Sequence, residues 1–531
     1  MRQFEIPGAN SRFVSWKQSF GLFVHPRVIT MLFLGFSAGI PLLLIFSSLS
    51  LWLREAGVER SAVTFFSWAA LAYSFKFVWA PLVDCLPIPV LTNSLGRRRA
   101  WLLFAQIAVA GAIVLMALVD PSSSQENLLM MAWAAVFLGF SSATQDIVID
   151  AYRIESAESS LQAMMSSSYI AGYRVGMIVS GAGALFLANE FGTSIGAYDY
   201  SAWRTTYLLM ATVMLVGVVT TLIIDEPAGS NQNRSLYSAG EYTRLVALFL
   251  VLVACFVGIF FQSAETAAQI RVVLSESLKN QSLAVYLVAF GIEVLRLAVA
   301  VISVALVAFF ADLTGVVNRK MVRESYIEPV LDFFQRFGLR SAILLLALIG
   351  LYRISDIVLG VISNVFFQDM GFSKTEIASV VKTFGLIMTL VGGFLGGMLT
   401  ARFGVMRILF LGGILTVLTN LLFMIQASAG HDVFVLYCVI SADNLSAGLA
   451  SAAFIAFLSG LTNVSFTAMQ YAIFSSLMTF FPKVLGGYSG TMVEAMGYSQ
   501  FFLVASIMGL PVLGLIWMSA KVFDFQAIKN H

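Results

Sequence analysis

Phe137–Tyr152 reads FLGFSSATQDIVIDAY, and its two aspartates decide how the whole chain is understood. The other residues are apolar, small or neutral, and they belong to a run near residues 128–151. That is enough to cross a bilayer, which takes about 20 mostly apolar residues. A charge at the centre of a membrane helix costs roughly 3 kcal/mol even on lenient scales, so such groups face a protein interior or a wet path and mark transport routes. Asp146 and Asp150 are four residues apart and share one helical face. The stretch therefore reads as the polar centre of a transporter.

The surrounding composition agrees. Of 531 residues, 59% are hydrophobic and only 11% charged, with a mean hydropathy of +0.88. Soluble domains carry about a quarter charged residues, so this is an all-α polytopic membrane protein. The net charge of +2 points to no particular partner, and the short cluster Arg97–Arg99 reads as a topology determinant rather than a nucleic-acid patch. Cys85, Cys255 and Cys438 have no pairing or ligand spacing, so neither a disulfide framework nor a metal site is expected. Residues 1–27 lack a cleavable signal, and the first span is expected to stay as an anchor.

Apolar runs place spans near 28–50, 61–83, 100–119, 128–151, 162–188 and 203–224, then two near 243–263 and 283–311. Six more follow near 341–367, 376–400, 406–428, 433–458, 463–481 and 497–520, fourteen in all. The expected organisation is a segment 1–27, a six-helix bundle 28–224, a linker with two added helices 225–340, a second bundle 341–520 and a tail 521–531. Most Lys and Arg between spans fall on the side of the amino terminus, which puts both termini in the cytoplasm.

The two bundles echo one another. Ser142–Asp146 in the fourth span of the first half answers Ser441–Asn444 in the second. After the second span of each half, Asp84 precedes Gly96, Arg97, Arg98 and Arg99, while Gly397 precedes Ala401, Arg402 and Gly404. Both loops resemble the cytoplasmic loop motif of the major facilitator superfamily, in which arginines pair with an acid or a helix end as that side closes. Simple positive-inside charge explains the triple arginine equally well.

Within that superfamily the chain resembles the AmpG muropeptide permeases. The likeness rests on LGFSAGIPLLL (Leu34–Leu44), FSWAALAYSFKFVWAPLVD (Phe66–Asp84), GRRRAWLL (Gly96–Leu103), SSATQDIVIDAYR (Ser141–Arg153), GYRVGMIVSG (Gly172–Gly181) and FFQDMGFSKTEIASVVKTFG (Phe366–Gly385). It implies proton-driven import of N-acetylglucosaminyl-1,6-anhydro-N-acetylmuramic acid, with or without peptide, across the bacterial inner membrane. The added central pair fits that family and departs from the twelve-span plan. No cofactor beyond the proton gradient is implied, and the partners are the glycopeptide, protons and the bilayer, with no nucleic acid and a monomeric protein.

Coupling to protons needs a shielded group that gains and loses a proton. His25, His431 and His531 all lie at span ends or termini, which leaves carboxylates: Asp146, Asp150, Asp356, Asp443 and Glu494. Candidate cations are Lys76, Arg174, Arg353 and Lys382. Arg174 is the strongest, expected to pair with Asp146 or Asp150 or to bind an anionic substrate, with a static buried ion pair as the plain alternative. Arg353 and Asp356, three apart, are placed to neutralise one another. Glu265, Glu293 and Arg296 of the added pair are expected to do the same. Gln145 and Asn444 suit sugar hydroxyls or acetamido groups, though both also serve as interhelical glue. Tyr173 and Tyr471 occupy equivalent spans and can stack on a pyranose or simply pack. Gly39, with Gly35 and Pro41, and Gly392, Gly393, Gly396 and Gly397 suit close or bending helix contacts. Asp84, Gly96, Arg97, Arg98, Arg99 and Arg402 form the expected cytoplasmic gate.

Two other readings stay open at this level: a carrier of another bulky anion, such as an acyl-coenzyme A or a nucleotide sugar, and a membrane-embedded enzyme. Against the last, the chain has no Walker A motif, no HExxH and no histidine inside a span.

Overall fold

In hydrocarbon no water satisfies backbone N–H and C=O groups, so each apolar run must close its hydrogen bonds within a helix. A computed structural model shows this outcome over residues 24–58, 73, 75–194, 196–227, 237–277, 282–373, 376–486 and 489–529. Among the described residues, twelve helices are long and apolar enough to cross a membrane. The count of fourteen is not confirmed. The expected span 61–83 falls largely outside the described residues, and the one at 283–311 falls on the helix Ser282–Leu313, of which Ala298–Leu313 forms a shorter apolar stretch.

The helices used below are α1 (Pro26–Leu43), α2 (Ala80–Cys85), α3 (Arg97–Ala117), α4 (Gln125–Ser156), α5 (Ser159–Ile178), α6 (Ala239–Ser277), α7 (Ser282–Leu313), α8 (Glu328–Phe337), α9 (Leu339–Leu351), α10 (Ile354–Asp369), α11 (Gly385–Phe403), α12 (Val405–Ala429), α13 (Val433–Leu461), α14 (Thr467–Gly486) and α15 (Ser489–Lys529). Contacts divide the chain into two units. One joins the first half to the segment from Asp332 onward and holds both bundles; the other is Asn233–Leu331.

Close helix contacts in the main unit come from small residues. A Cβ at Gly39 would lie 2.1 Å from the Tyr173 carbonyl oxygen, and one at Gly172 would lie 1.9 Å from that of Leu32, so α1 and α5 meet backbone to backbone. The second half repeats the device between α11 and α13, where a Cβ at Gly392 would sit 2.1 Å from the Leu445 carbonyl oxygen and one at Gly448 2.2 Å from that of Thr389. The repeat extends to the loops: Gly96 at φ +89° opens α3 and Gly404 at φ +88° opens α12. The halves touch where the Ser167 hydroxyl of α5 donates to the Gly393 carbonyl of α11 at 2.7 Å.

Two irregular segments matter later. The second span enters its last part as a 3₁₀ turn, Lys76–Val78, ahead of α2. Arg353, at φ −99° and ψ 14°, breaks the crossing between α9 and α10.

In the smaller unit, Arg296 of α7 donates to the Phe260 carbonyl of α6 at 2.6 Å and lies 4.4 Å over the Phe260 ring. Its Nε also reaches Ser263 at 3.3 Å. Glu265 is exposed, and the side chain of Glu293 lies outside the described residues. Asn318 donates to Glu241 at 2.7 Å and Tyr237 to Glu324, tying the ends of this unit together. The polar stretch after residue 311 folds into short helices that end in α8.

Candidate functional site

α4 runs to Ser156, one turn past the expected span end at 151, and that turn reorganises the site. Hydropathy stops at Arg153 and Glu155 because both are charged. The helix continues because neighbouring elements supply partners to both. Arg153 and Glu155 are the residues that sequence reasoning missed; the readable signal was the i, i+3 spacing of Asp150 and Arg153.

Asp150 stands between two cations. Its Oδ2 lies 3.5 Å from Lys76 Nζ and its Oδ1 3.3 Å from Arg153 Nη2. Asp146, one turn earlier, has no cation within ion-pair distance among the described residues and accepts a hydrogen bond from the Tyr169 hydroxyl at 3.4 Å. The aspartates keep only 8% and 9% of their surface exposed, so the centre is nearly closed to water in this state. Gln145 on the same helix donates to Ser37 of α1 at 3.1 Å, while its buried Oε1 has no partner among the described residues. Around the centre, the Tyr73 hydroxyl donates to Ser142 at 2.7 Å and Tyr169 packs 5.9 Å from Tyr173, centroid to centroid.

Arg174 does not join this centre. It is exposed on α5 and makes no ion pair among the described residues; the charges that bear on it are Arg353 and Asp356 of the second half. The expected pairing with Asp146 or Asp150 is corrected on a simple ground: Lys76 and Arg153 already occupy Asp150. Lys76 lies in the 3₁₀ turn Lys76–Val78, and Asp84 in α2 beyond it.

The second half is milder in chemistry. Arg353 and Asp356 pair at 2.5 Å, half-buried. Asp443 accepts from Thr419 at 3.4 Å, and the Asn444 carbonyl oxygen accepts from Thr389 at 2.9 Å while its amide donates to the Ile440 carbonyl at 3.1 Å. Glu494 and Lys382 are exposed, and Tyr471 stacks under Arg153 at 5.1 Å.

At the end of the bundle that carries Arg97–Arg99, the halves are latched. Arg98 is fully buried, with Glu155 at 2.5 Å and Asp84 at 2.7 Å. Its Nη2 also donates to Thr467 of α14 at 3.1 Å, and the Thr467 hydroxyl donates to Glu155. Asp84 accepts from the backbone N–H groups of Ala468 at 3.2 Å and Met469 at 3.0 Å, so a first-half carboxylate caps a second-half helix. Arg97 donates to the Asp84 carbonyl at 2.6 Å. Arg99 donates to the carbonyls of Thr221 at 3.1 Å and Leu222 at 2.8 Å, while Glu226 accepts from the backbone N–H groups of Arg98 and Arg99. Gly96 supplies the left-handed turn that presents them. In the second-half loop, Arg402 lies 5.3 Å over the Phe403 ring.

No group of three or more His, Cys, Asp or Glu able to hold a metal occurs among the described residues.

Comparison with known proteins gives the family and the fold. Over 502 residues the chain is 28% identical to the transporter AmpG 4 of Rickettsia conorii, covering 94% of this chain and 98% of that one. Over 511 residues it is 27% identical to the anhydromuropeptide permease of Escherichia coli strain K12, covering 96% and 83% respectively. Among solved structures, the fucose:proton symporter FucP in its outward conformation superposes with a TM-score of 0.57 at 12% identity, covering 94% of this chain and 99% of that one. The proton:xylose symporter XylE gives 0.55 at 12% identity, covering 94% and 95%. Residues 28–357, more than half of the chain, match the Major Facilitator Superfamily. This multi-pass membrane protein therefore belongs to the major facilitator superfamily, is similar over nearly its whole length to AmpG permeases, and is a transporter rather than an enzyme.

Proposed function

We propose that the protein imports anhydromuropeptides, N-acetylglucosaminyl-1,6-anhydro-N-acetylmuramic acid with or without its peptide, by proton-coupled alternating access. The likeness to the Escherichia coli permease over 96% of this chain is the observation that carries the cargo assignment. In this reading the latched end faces the cytoplasm, both termini lie on that side of the inner membrane, the two bundles are the moving parts, and the protein works as a monomer.

The coupling proton belongs to the pair Asp146 and Asp150. The two carboxylates lie one helical turn apart on one face, so the proton is assigned to the pair rather than to one residue. Asp146 is the easier entry because, among the described residues, no cation lies at ion-pair distance from it. Arg174, exposed and opposite Arg353, receives the carboxylate of the cargo. Gln145 and Asn444 meet its acetamido and hydroxyl groups, and Tyr173 its ring face. Asp356 tempers the charge of Arg353, and Asp443 and Glu494 stand in reserve as second-half acids. Asp84, Arg97, Arg98, Arg99 and Arg402 act as the gate that opens to release cargo.

Uptake of labelled anhydro-disaccharide into vesicles with an imposed proton gradient tests this directly. Wild type should accumulate the label, excess unlabelled muropeptide should compete, and coenzyme A esters should not. Normal gradient-driven accumulation by a variant with Asp146→Asn, Asp150→Asn and Arg174→Gln together would refute the site assignment.

A further inference from the structure

Arg153 is a buried side chain that touches both the carboxylate centre and the second half of the molecule. Its guanidinium is fully buried. One arm, Nη2, reaches Asp150 at 3.3 Å. The other, Nη1, donates to Ser459 of α13 at 2.6 Å, to Ser166 at 3.2 Å and to Gln162 at 3.3 Å. The Tyr471 ring of α14 covers it at 5.1 Å. α14 is also the helix whose first turn is capped by Asp84 and whose Thr467 meets Arg98 and Glu155.

We infer that Arg153 is a positioning residue that makes closure of the arginine-loop end depend on the charge of Asp150. A guanidinium without water needs an anion, and removing one partner of a buried pair leaves an uncompensated charge that strongly disfavours the arrangement. Asp150 is the only carboxylate within ion-pair distance of Arg153 among the described residues. While Asp150 is ionised, Arg153 can stay buried against Ser459 and Tyr471, and the halves stay together there. Once Asp150 is neutral, the guanidinium gains by reaching water, which requires the second-half helices to move away. A proton taken up by the carboxylate pair thereby favours opening at the latched end. The charged and titratable groups facing Asp150 are Lys76 from the second span, Arg153 and Asp146 from its own helix, Tyr169 from α5 and Tyr471 from α14. Lys76 keeps its place beside Asp150 Oδ2.

This inference rests on the alternating-access reading, not on the cargo. Spin labels at Ser94 and Ser465, both exposed and one on each half, would report the distance between halves at this end, in a background with Cys85, Cys255 and Cys438 replaced. No cargo is added, so a wrong cargo assignment would leave the result unchanged. Asp150→Asn should raise the population with the longer distance by roughly tenfold or more, since the minor state of such equilibria usually starts between about 0.1 and 10%. Adding Arg153→Gln should reverse most of that rise, because the unpaired charge is gone, whereas Arg153→Lys should not. An unchanged distribution in Asp150→Asn, or a double variant with Arg153→Gln that opens as far as Asp150→Asn alone, would overturn the inference. If the double variant does not fold, Tyr471→Leu with native Asp150 serves instead: it should lengthen the distance, and no change would overturn the inference.

Discussion

The middle of the fourth span in each half makes an instructive pair. In the first half, Asp146 and Asp150 gather Lys76, Arg153 and Tyr169 into an ionic centre, and Glu155, farther along the same helix, pairs with Arg98, which reaches Thr467 of the second half. In the second half, Asp443 and Asn444 occupy the corresponding break and, among the described residues, have hydroxyl and backbone partners, Thr419, Thr389 and the Ile440 carbonyl. The backbone device is the same, with small residues packed on carbonyls in both halves. The chemistry is not: the first half sets its aspartates among cations, while the second gives Asp443 and Asn444 hydroxyl and carbonyl partners. A repeated fold thus gives equivalent positions without giving them equivalent work.

The largest way to sharpen this contrast is at the arginine loops. Arg98→Ala leaves Glu155 and Asp84 buried without their cation, and breaking a buried pair by removing one partner costs about 3–5 kcal/mol. Arg402→Ala, at the equivalent loop, loses its contact over the Phe403 ring, worth about 1 kcal/mol. Thermal unfolding of the two purified variants in detergent should show a several-fold larger loss for Arg98. Equal losses would break the comparison.

Next come the helix contacts. Gly39→Ala drives a methyl onto the Tyr173 carbonyl, and overpacking of that kind costs about 1–3 kcal/mol. Gly393→Ala meets open space and should stay within about 0.5 kcal/mol of the parent. The same unfolding assay checks both, and a Gly39→Ala protein as stable as the Gly393→Ala one would mean that α1 and α5 do not hold their close approach.

Much of this was legible in the sequence, for physical reasons. Apolar windows fix helices because the bilayer leaves the backbone no other choice, so most spans were placed within a few residues of where they lie. The ion pair of Arg353 and Asp356 and the pairing of Asp84 with the arginine loop followed from spacing and motif. Arg153 was passed over as a site residue despite its i, i+3 spacing from Asp150, since hydropathy scores its charge as a span end while tertiary partners hold it inside the helix. The partner of Arg174 was misread for the converse reason: helix adjacency says which residues are near, but Lys76 satisfies Asp150 from a 3₁₀ turn that no periodicity announces.

The smallest expected effect lies outside the spans, at the end opposite the latch. Glu376 is held down to about 2 by the Ser373 N–H, with the His431 ring and the Ser373 hydroxyl adding to it. A carboxylate lowered in the folded state stabilises above its ordinary value near 4.3 and loses that contribution as pH falls toward about 2. Glu376→Gln should therefore unfold like the parent at pH 2 and slightly earlier than the parent at pH 6. A gap that widens on acidification would contradict the assignment. Because the group is exposed, the effect should be slight.

Proton movement measured alongside cargo in liposomes bears most directly on the division of labour between the halves. With a pH-sensitive dye inside and labelled anhydro-disaccharide outside, wild type and Asp443→Asn should both acidify the lumen as label enters. Asp146→Asn with Asp150→Asn should admit label only down its own gradient, with no acidification. Retained acidification in that double variant, or its loss in Asp443→Asn alone, would contradict the account.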